Sequence, residues 1–448
     1  MNESMLKEGV TDSPFTCQNR VTINGGDCME QKQRAIIVGC NLKSDKEFLN
    51  MIEELYSLAD ACDIEVVGEI IQKLERVYPS HYIGKGKIQE LFALIHEKAV
   101  DMVIFNDELS PSQIYNLHTD LKCKVIDRTV LILDILAKRS KSKEAQLQVE
   151  IAKLQYALPR LTGLGESLSR QVGGVGFINR DSGETKFELD HRKIKDKISG
   201  LQAELKKLVV ERQNQRKQRK KSGIPSVALV GYTNAGKSSI MNSMIDLYSS
   251  SIDKKVFEKD MLFATLETYV RNIKLPNNKS FLLTDTVGFI SKLPRQLVNA
   301  FRSTLEEITE ADMLVHVVDY STHNYKQHIE VTKNTLKELG ADNIPVIYVY
   351  NKIDLVEGEI TKDEKDCIYI SAKNKVGIDE LVNEICKRAF PQHVCCQLLI
   401  PYDKGNILSY FKDNANIKST EYNSDGALIS MECKEADYER YKQFESQI

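Results

Sequence analysis

The sequence predicts an α/β protein of several domains, and three observations predict it. The chain has 448 residues, 42% apolar and 28% charged, which is typical of a folded globular protein with more than one domain. Short β-branched runs alternate with amphipathic stretches in two separate regions. A glycine-rich strand–loop–helix pattern opens the second region. We expect two parallel α/β domains, a helical hairpin between them and a small α+β module at the end.

The first region predicts a small parallel sheet. Residues 1–33 are polar without an apolar core, so we expect a flexible extension and no signal peptide. Residues 34–137 alternate strand-like and helix-like runs, as parallel sheets do. Gly84-Lys85-Gly86-Lys87 opens one of these helices and could bind phosphate. Its spacing is not that of a Walker loop, and glycines are common at helix starts, so we favour a structural role.

Residues 138–222 predict an antiparallel helical hairpin. Two stretches carry apolar residues at steps of three and four, as the seams of paired helices do. These residues are Leu147, Ile151, Leu154 and Leu158 in the first helix, and Ile194, Ile198, Leu201, Leu205 and Leu208 in the second. The glycine-rich stretch from Gly163 to Gly183 separates them and predicts a tip loop. A loop of this length without periodicity is either disordered or functional.

The hairpin is also the basic part of the chain. Residues 138–222 hold 21 Lys and Arg against 10 Asp and Glu, an excess of 11 positive charges in a chain whose net charge is −3. The rest of the chain therefore carries −14. A solvated helical face would explain such a run, but basic surface on an otherwise acidic protein favours a polyanion such as RNA.

Cysteine and histidine usage predicts a cytoplasmic protein with reduced thiols. The ten cysteines include no C-x-x-C pair, and the eight histidines lack metal-ligand spacing, so we expect no transition-metal site. Cys395 and Cys396 are adjacent and could be redox-active, although a strand with one small apolar side chain on each face explains them as well. No apolar run approaches the ~20 residues of a membrane helix. We expect a monomer without a membrane span.

Residues 223–390 carry the chemistry, beginning with a phosphate-binding loop. The buried-strand run Ser226–Val230 precedes Gly231-Tyr232-Thr233-Asn234-Ala235-Gly236-Lys237-Ser238 and a helical stretch. This is G-x-x-x-x-G-K-S in its specific context. Backbone N–H groups would face the phosphates, Lys237 would meet the β- and γ-phosphates, and the Ser238 hydroxyl would bind Mg²⁺.

A second motif predicts γ-phosphate and metal contacts. Asp285-Thr286-Val287-Gly288 follows the strand-like run Phe281–Thr284. Asp285 can hold the Mg²⁺ shell, and Gly288 lets a backbone N–H approach the γ-phosphate. Thr265, within Phe263-Ala264-Thr265-Leu266-Glu267, lies between the two motifs, where a threonine could complete the metal shell. Many GTPases place a water-orienting Gln after the glycine, but this chain has Phe289, so we expect slow intrinsic hydrolysis.

Two further motifs predict guanine specificity. Asn351-Lys352-Ile353-Asp354 ends a β-rich run, and Asp354 can accept hydrogen bonds from guanine N1–H and the exocyclic amine. Adenine offers no such pair of donors, so the carboxylate would stay unpaired against it. Ser371-Ala372-Lys373 follows the next strand and can meet the guanine carbonyl through its backbone. The four motifs in this order predict a GTPase domain that binds GTP and GDP. Pro391 begins an alternating tail, 391–448, for which we expect the α+β module.

From about Arg34 onward the chain resembles the HflX family of translation-associated GTPases. Matches outside the nucleotide motifs carry this resemblance: Tyr82-Ile83-Gly84-Lys85-Gly86-Lys87, Asp127-Arg128-Thr129, Ile132-Leu133-Asp134, Gln148-Val149-Glu150, Leu158-Pro159-Arg160-Leu161 and Leu168-Ser169-Arg170-Gln171 with Gly173-Gly174. Inside the nucleotide-binding region, the chain is also similar to the family's sequence motifs at Phe263-Ala264-Thr265-Leu266 and Asp285-Thr286-Val287-Gly288-Phe289. The chain departs from the family pattern after Gly176, at Glu267–Val270 and at His191.

The resemblance implies a role at the ribosome. It implies that Thr265 is the switch threonine, which with Lys237 and Gly288 makes the catalytic set. It further implies binding to the large ribosomal subunit and its RNA, with the hairpin tip, including Arg170, Gln171 and Arg180, directed toward the peptidyl-transferase region. The implied activity is separation of stalled ribosomes into subunits.

Two other functions remain open on the sequence. One is a ribosome- or RNA-binding assembly factor with little turnover, in which the nucleotide is structural, as Phe289 allows. The other is a GTPase of tRNA modification or subunit assembly, against which the basic hairpin argues. Measuring GTP turnover with and without ribosomes distinguishes the assembly factor with little turnover from a ribosome-splitting GTPase. Comparing binding to mature and precursor ribosomal subunits distinguishes the GTPase of tRNA modification or subunit assembly.

Overall fold

The computed structural model describes residues 32–43, 47–171, 186–221, 223–248, 268–292, 302–356, 367–391 and 393–446. Two compact units are present, and each is described by itself. The first contains an N-terminal α/β domain and the helical hairpin. The second contains a six-stranded sheet and the C-terminal module.

A parallel sheet forms the N-terminal domain, as expected. Its elements are β1 (Gln33–Leu42), α1 (Phe48–Ala61), β2 (Ile64–Leu74), α2 (Lys85–Glu97), β3 (Met102–Phe105), α3 (Pro111–Leu121), β4 (Lys124–Asp127) and α4 (Arg128–Arg139). The strands lie in the order β2-β1-β3-β4, all parallel. Helix α3 begins where its sequence predicts, because Pro111 takes the first helical position and Ser110 and Gln113 form a capping box. Helix α2 begins directly after Gly84, whose N–H donates to Gln72.

The family-like run at 127–129 has a structural role at the end of β4. Asp127 is fully buried and caps α4, accepting from the N–H groups of Thr129 at 3.1 Å and Val130 at 3.3 Å. Arg128 is also buried and forms an ion pair with Glu54 of α1. Since a buried charge needs a partner, these contacts fix α4 and α1 at this sheet edge.

The hairpin consists of α5 (Lys143–Gln171) and α6 (Lys186–Lys221). Ion pairs join the two helices, Lys143 with Glu204 at 2.7 Å, Glu144 with Arg212 at 3.2 Å and Glu150 with Lys197 at 2.7 Å, so the start of α5 lies beside the later part of α6. Leu147 and Ile151 of the predicted seam are buried, and Ile198 is the most buried seam residue of α6. The antiparallel pairing expected from the heptad spacing is therefore present.

The hairpin differs from expectation in two respects. The first helix does not end near Gly163 but continues to Gln171, which leaves only residues 172–185 between the helices. Glycine lowers helix propensity without preventing a helix, so the spacing of Gly163 and Gly165 misplaced the start of the tip. In addition, α5 is not separate from the N-terminal domain, because it packs against α3 and α4.

Contacts of Arg160 anchor α5 to the N-terminal domain. Its guanidinium donates to the carbonyl oxygens of Leu109 at 3.0 Å and Tyr156 at 2.8 Å, and lies 3.5 Å from the Asp127 carboxylate. The guanidinium also stacks over the Tyr156 ring at 3.2 Å, while the Tyr156 hydroxyl donates to Asp127. This buried network holds the base of the hairpin against the sheet.

The second unit is built on a six-stranded sheet. Its elements are β5 (Ser226–Gly231), α7 (Lys237–Tyr248), β6 (Tyr269–Lys274), β7 (Ser280–Asp285), α8 (Arg302–Thr309), β8 (Met313–Asp319), α9 (Tyr325–Glu338), β9 (Val346–Asn351), β10 (Cys367–Tyr369) and α10 (Ile378–Ala389). The order is β10-β9-β8-β5-β7-β6, and only β6 pairs antiparallel, with β7. The carboxyl ends of β5, β7 and β9 carry the predicted nucleotide motifs, so the sheet brings them to one edge.

The C-terminal module is α+β, as expected. It contains β11 (His393–Ile400), α11 (Gly405–Asn414), β12 (Asn416–Asn423), β13 (Gly426–Lys434) and α12 (Glu435–Tyr441). Its sheet is antiparallel, in the order β11-β13-β12, and its core includes Leu398, Phe411 and Ile429. Among the residues that the structure describes, no helix has the length and apolarity to cross a membrane.

Candidate nucleotide site

The phosphate-binding loop joins β5 to α7. Gly231 ends the buried strand β5, and α7 begins at Lys237, so backbone N–H groups at the helix start face the mouth of the loop. Lys237 is only 6% exposed, and its ammonium donates to the carbonyl oxygens of Gly231 at 3.1 Å and Tyr232 at 2.8 Å. The Lys237 side chain is thus held across the phosphate loop by backbone carbonyl groups of that loop.

Gly236 is required by both conformation and space. Its φ is +94°, and a Cβ there would lie 2.1 Å from the Asn351 side-chain nitrogen. Any side chain would therefore displace Asn351 and strain the backbone. Gly236 therefore lets the phosphate loop approach closely the base-recognition segment, by which we mean residues 351–354 and 371–373, predicted to bind the base.

Ser238 and Asp285, the residues predicted to hold Mg²⁺, are in direct contact. The Ser238 hydroxyl donates to the Asp285 carboxylate at 2.6 Å, although the two residues are 47 positions apart in sequence. Asp285 is fully buried at the end of β7, and the neighbouring Thr286 hydroxyl donates to the Leu229 carbonyl of β5 at 2.6 Å. A hydroxyl and a carboxylate oxygen at this separation fit the oxygen preference of Mg²⁺.

The segment after Asp285 closes over the phosphate loop. Phe289 donates its N–H to the Gly231 carbonyl at 3.1 Å and accepts from the Thr233 N–H at 2.7 Å. At Gly288, a Cβ would lie 2.7 Å from the Thr233 Cα and 3.0 Å from the Lys237 ammonium nitrogen. Val287 is buried beside them. Glycine is thus the residue that admits this close approach.

The Phe289 side chain is buried, with 2% of its surface exposed. A phenyl ring offers no hydrogen bond, so this residue cannot orient an attacking water. The ring packs into the fold, and slow intrinsic hydrolysis stays a prediction from the residue type.

The base-recognition segment is held by Asn351 and Ser371. The Asn351 side chain donates to the Ala235 carbonyl at 2.9 Å and accepts from the Ala372 N–H at 3.0 Å. The Ser371 hydroxyl donates to the Asp354 carboxylate at 2.6 Å and accepts from the Asn374 N–H at 3.2 Å. These contacts orient Asp354 and place the Ser371-Ala372-Lys373 backbone beside it.

Lys352 and Ile353 complete this segment. Lys352 has a left-handed backbone, and its ammonium pairs with Asp319 at the end of β8, 2.8 Å away. The Ile353 N–H donates to the Ile370 carbonyl at 3.3 Å. Each strand end in this part of the sheet thus contributes a contact to the base-recognition segment.

Electrostatics at the phosphate loop centre on Lys237. Burial lowers the pKa of its ammonium to about 8, and the nearby Asp285 carboxylate opposes part of that shift. Burial, together with the positive charges of Lys333 and Lys237, lowers the pKa of His316 on β8 to about 3. His316 is therefore neutral near pH 7. Lys237 is the residue predicted to pair its positive charge with a phosphate.

His328 is a site neighbour that sequence reasoning missed. Its ring lies on α9 and stacks on Tyr232 of the phosphate loop, with ring centroids 3.9 Å apart and planes inclined by 8°. Tyr232 is thereby fixed at the start of the loop, with 6% of its surface exposed. No motif marks His328, because it lies nearly one hundred residues from the tyrosine and belongs to a helix of ordinary composition.

Several predicted residues lie elsewhere. Phe263, Ala264, Thr265, Leu266 and Glu267 lie outside the described residues, so the structure does not test the switch threonine. Arg180 also lies outside them. Arg170 and Gln171 lie in the last turn of α5, in the other compact unit from the nucleotide site.

Three family models match the chain in order. The model described as "GTP-binding GTPase N-terminal" matches residues 50–137, and "GTP-binding GTPase Middle Region" matches residues 139–219. The model described as "50S ribosome-binding GTPase" matches residues 226–352. Among solved structures, the comparison matches a GTP-binding protein from Sulfolobus solfataricus in complex with GDP, 25% identical, covering 80% of this chain and 99% of that one, with a TM-score of 0.40.

Curated relatives match over most of their length. GTPase HflX of Caldanaerobacter subterraneus is 44% identical over 424 residues, which are 94% of this chain and 96% of the relative. GTPase HflX of Alkalihalophilus pseudofirmus is 44% identical over 87% of this chain and 90% of the relative. GTPase HflX of Escherichia coli is 34% identical over 90% and 93%. The chain therefore belongs to the HflX family of GTPases, enzymes that hydrolyse GTP to GDP and phosphate.

Proposed function

We propose that this GTPase binds the large ribosomal subunit through its hairpin and separates stalled ribosomes into subunits, and that the ribosome stimulates its hydrolysis. The observation that carries the proposal is the hairpin itself. A basic, two-helix arm is anchored to a folded domain by the buried Arg160 network, so it can transmit force to what it contacts. The family that matches residues 226–352 is described as a "50S ribosome-binding GTPase", which supports the same partner.

The shape and charge of the arm suit ribosomal RNA. A 36-residue helix such as α6 rises ~54 Å, which is long enough to enter a deep groove. Lys and Arg exceed acidic residues by 11 across residues 138–222, and such an excess attracts phosphate through counterion release. At the tip, Arg170 and Arg180 can pair with phosphate or stack on unpaired bases. Gln171 can hydrogen-bond to such bases.

At the nucleotide site we propose a division of labour among four motifs. Backbone N–H groups of 231–236 bind the phosphates, and the Lys237 ammonium meets the β- and γ-phosphates where charge grows in the transition state. Ser238, Thr265 and Asp285 would hold Mg²⁺, which would neutralise phosphate charge. Gly288 offers its N–H to the γ-phosphate. Asn351, Asp354 and the 371–373 backbone select guanine.

Stimulation by the ribosome follows from Phe289. Because Phe289, the residue directly after Gly288, cannot orient the attacking water, a partner must either supply a polar group or order the switch residues. The nucleotide state would then gate attachment, with the GTP form bound and the GDP form released. A protein working in this way acts in the cytoplasm, on ribosomes, and needs no second copy of itself.

One experiment tests the proposal directly. GTP turnover is measured with and without purified large subunits, while separation of 70S particles is followed by light scattering in GTP, GDP and a non-hydrolysable GTP analogue. We expect at least about tenfold faster hydrolysis with subunits, ~1.4 kcal/mol of barrier lowering, and separation in the GTP and analogue states. Equal rates without separation, but with binding, would instead indicate an assembly factor with little turnover.

A further inference from the structure

Three cysteines lie close together in the C-terminal module, far along the chain from the nucleotide motifs. Cys395 and Cys396 are neighbours on β11, and Cys433 lies near the end of β13. The antiparallel register pairs Cys396 with Met431 and Val394 with Cys433. Cys396 and Cys433 are therefore diagonal neighbours on one face of the sheet, whereas Cys395 points to the opposite face.

The two sulfurs on the shared face are in contact. Cys396 Sγ and Cys433 Sγ are 3.6 Å apart, which is hydrogen-bonding distance for thiols. This face also carries the module core, including Leu398 and Ile429, so the pair lies where backbone and side chains are well held. To form a bond of about 2.05 Å, the two sulfurs must approach from 3.6 Å, which for a diagonal pair requires strand movement as well as side-chain rotation.

Access and reactivity differ between the two thiols. Cys433 is fully buried, whereas Cys396 is half-buried on the edge strand β11 and can meet a small solute. The hydrogen bond from Cys433 lowers the pKa of Cys396, and the same bond, followed by burial, raises the pKa of Cys433. The accessible sulfur is thus the one that more readily becomes a thiolate, the nucleophilic form.

We propose that Cys396 and Cys433 form a reversible disulfide when a peroxide reaches the C-terminal module. The Cys396 thiolate attacks one oxygen of hydrogen peroxide, forming an S–O bond as the O–O bond breaks, and hydroxide leaves and takes up a proton as water. The Cys433 thiol then attacks the resulting sulfenic sulfur, forming the S–S bond and releasing a second water. Two thiols are oxidised by two electrons and one peroxide is reduced to two waters.

Cys395 has a different environment and supplies a matched control. It is exposed, and its sulfur accepts from the Lys418 ammonium at 3.3 Å, on the face opposite the pair. Among the described strands of this sheet, no other cysteine shares the face of Cys395, so Cys395 can be oxidised but cannot close a disulfide within that face. The proposal therefore assigns the cross-link to Cys396 despite the greater exposure of Cys395.

The test uses the full-length protein and hydrogen peroxide. After oxidation, free thiols are alkylated, the protein is digested with trypsin, and peptides 389–404 and 419–434 are sought as a disulfide-linked pair by mass spectrometry. We expect the linked pair in the wild type and in Cys395→Ser, and its disappearance after treatment with dithiothreitol. Cys396→Ala and Cys433→Ala should each abolish it, and alanine suits both sites because it is small and apolar.

Two results would overturn the proposal. The first is a linked pair that persists in Cys396→Ala, which would make Cys395 the partner. The second is full oxidation of Cys395 while Cys433 stays fully alkylatable in the wild type. GDP binding serves as the folding control for the oxidised protein and for each variant, because none of these cysteines belongs to the nucleotide site.

Discussion

Asn351 donates a hydrogen bond from its side-chain nitrogen to the carbonyl oxygen of Ala235, 2.9 Å away, and so joins the base-recognition segment to the phosphate loop. Its side-chain oxygen accepts from the Ala372 N–H at 3.0 Å, so one amide connects three motifs. Asn351 is buried, with 2% of its surface exposed. The segments predicted to bind the base and the phosphates are therefore joined by hydrogen bonds of one side chain.

The first prediction concerns this amide. Asn351→Ala removes both hydrogen bonds and leaves the Ala372 N–H without its acceptor, which costs ~1–3 kcal/mol. We expect the affinities for GDP and GTP to fall together, by about five- to 150-fold on that scale, measured by isothermal titration calorimetry. Asn343→Ala, at an exposed position, is the control and should bind as the wild type does. A selective loss of GTP alone would contradict the linkage.

The second prediction concerns guanine specificity. Asp354→Asn replaces the double acceptor with an amide, which can donate to the 2-oxo group of xanthine, so preference should shift from GDP to XDP. Ser371→Ala removes the hydroxyl that orients Asp354 at 2.6 Å, so it should weaken GDP binding without creating a preference for XDP. Competition binding of the two nucleotides measures both effects. An unchanged GDP preference in Asp354→Asn would show that the base binds elsewhere.

The third prediction separates phosphate binding from metal binding. Lys237→Ala should abolish hydrolysis and greatly weaken nucleotide binding, because its charge faces the phosphates. Ser238→Asn should impair binding of Mg²⁺-GTP more than binding of GDP, because the hydroxyl beside Asp285 is lost. Lys337→Ala, at an exposed position on α9, is the control. Turnover and GDP affinity at wild-type levels in the two site variants would refute the phosphate-loop assignment.

The fourth prediction concerns pH. Burial lowers the pKa of Lys237 to about 8 in the free protein, and a bound phosphate favours the charged form. Below pH 8 the ammonium is already charged, so affinity should be flat; above pH 8 binding must take up a proton. Affinity for GDP should fall by about fivefold from pH 8 to pH 9, because the charged fraction of a group with a pKa of about 8 falls by that factor. Calorimetry in buffers of different ionisation enthalpy should show proton uptake near pH 9, and its absence would contradict the assignment.

The fifth prediction concerns the hairpin tip. Replacing Leu168–Asp181 with a short Gly-Ser turn should leave GDP binding near wild type, because the nucleotide contacts belong to the other compact unit. Separation of 70S particles should be lost. A matched replacement of the same residues by a Gly-Ser segment of equal length tests whether length or side chains matter. Separation at the normal rate by the shortened protein would make the tip a connector only.

Much of the fold followed from local patterns. The alternation of residues 34–127 was enough for the parallel sheet, because each β-branched run must be buried and each intervening stretch is long enough for one helix. The start of α3 also has a local cause, the capping box of Ser110 and Gln113 with Pro111 at the first helical position. The extension of α5 beyond Gly163 was not predicted, because glycine lowers helix propensity without preventing a helix.

The sequence by itself determined the nucleotide, since guanine selection and phosphate binding depend on residue types at short fixed spacings such as Gly236-Lys237-Ser238 and Asn351 to Asp354. Only the tertiary structure decided which distant residues support them. Ser238 meets Asp285, Tyr232 stacks on His328, and Cys396 touches Cys433 because strand order and register bring them together. These depend on packing across the sheets, and packing leaves no local pattern in the chain.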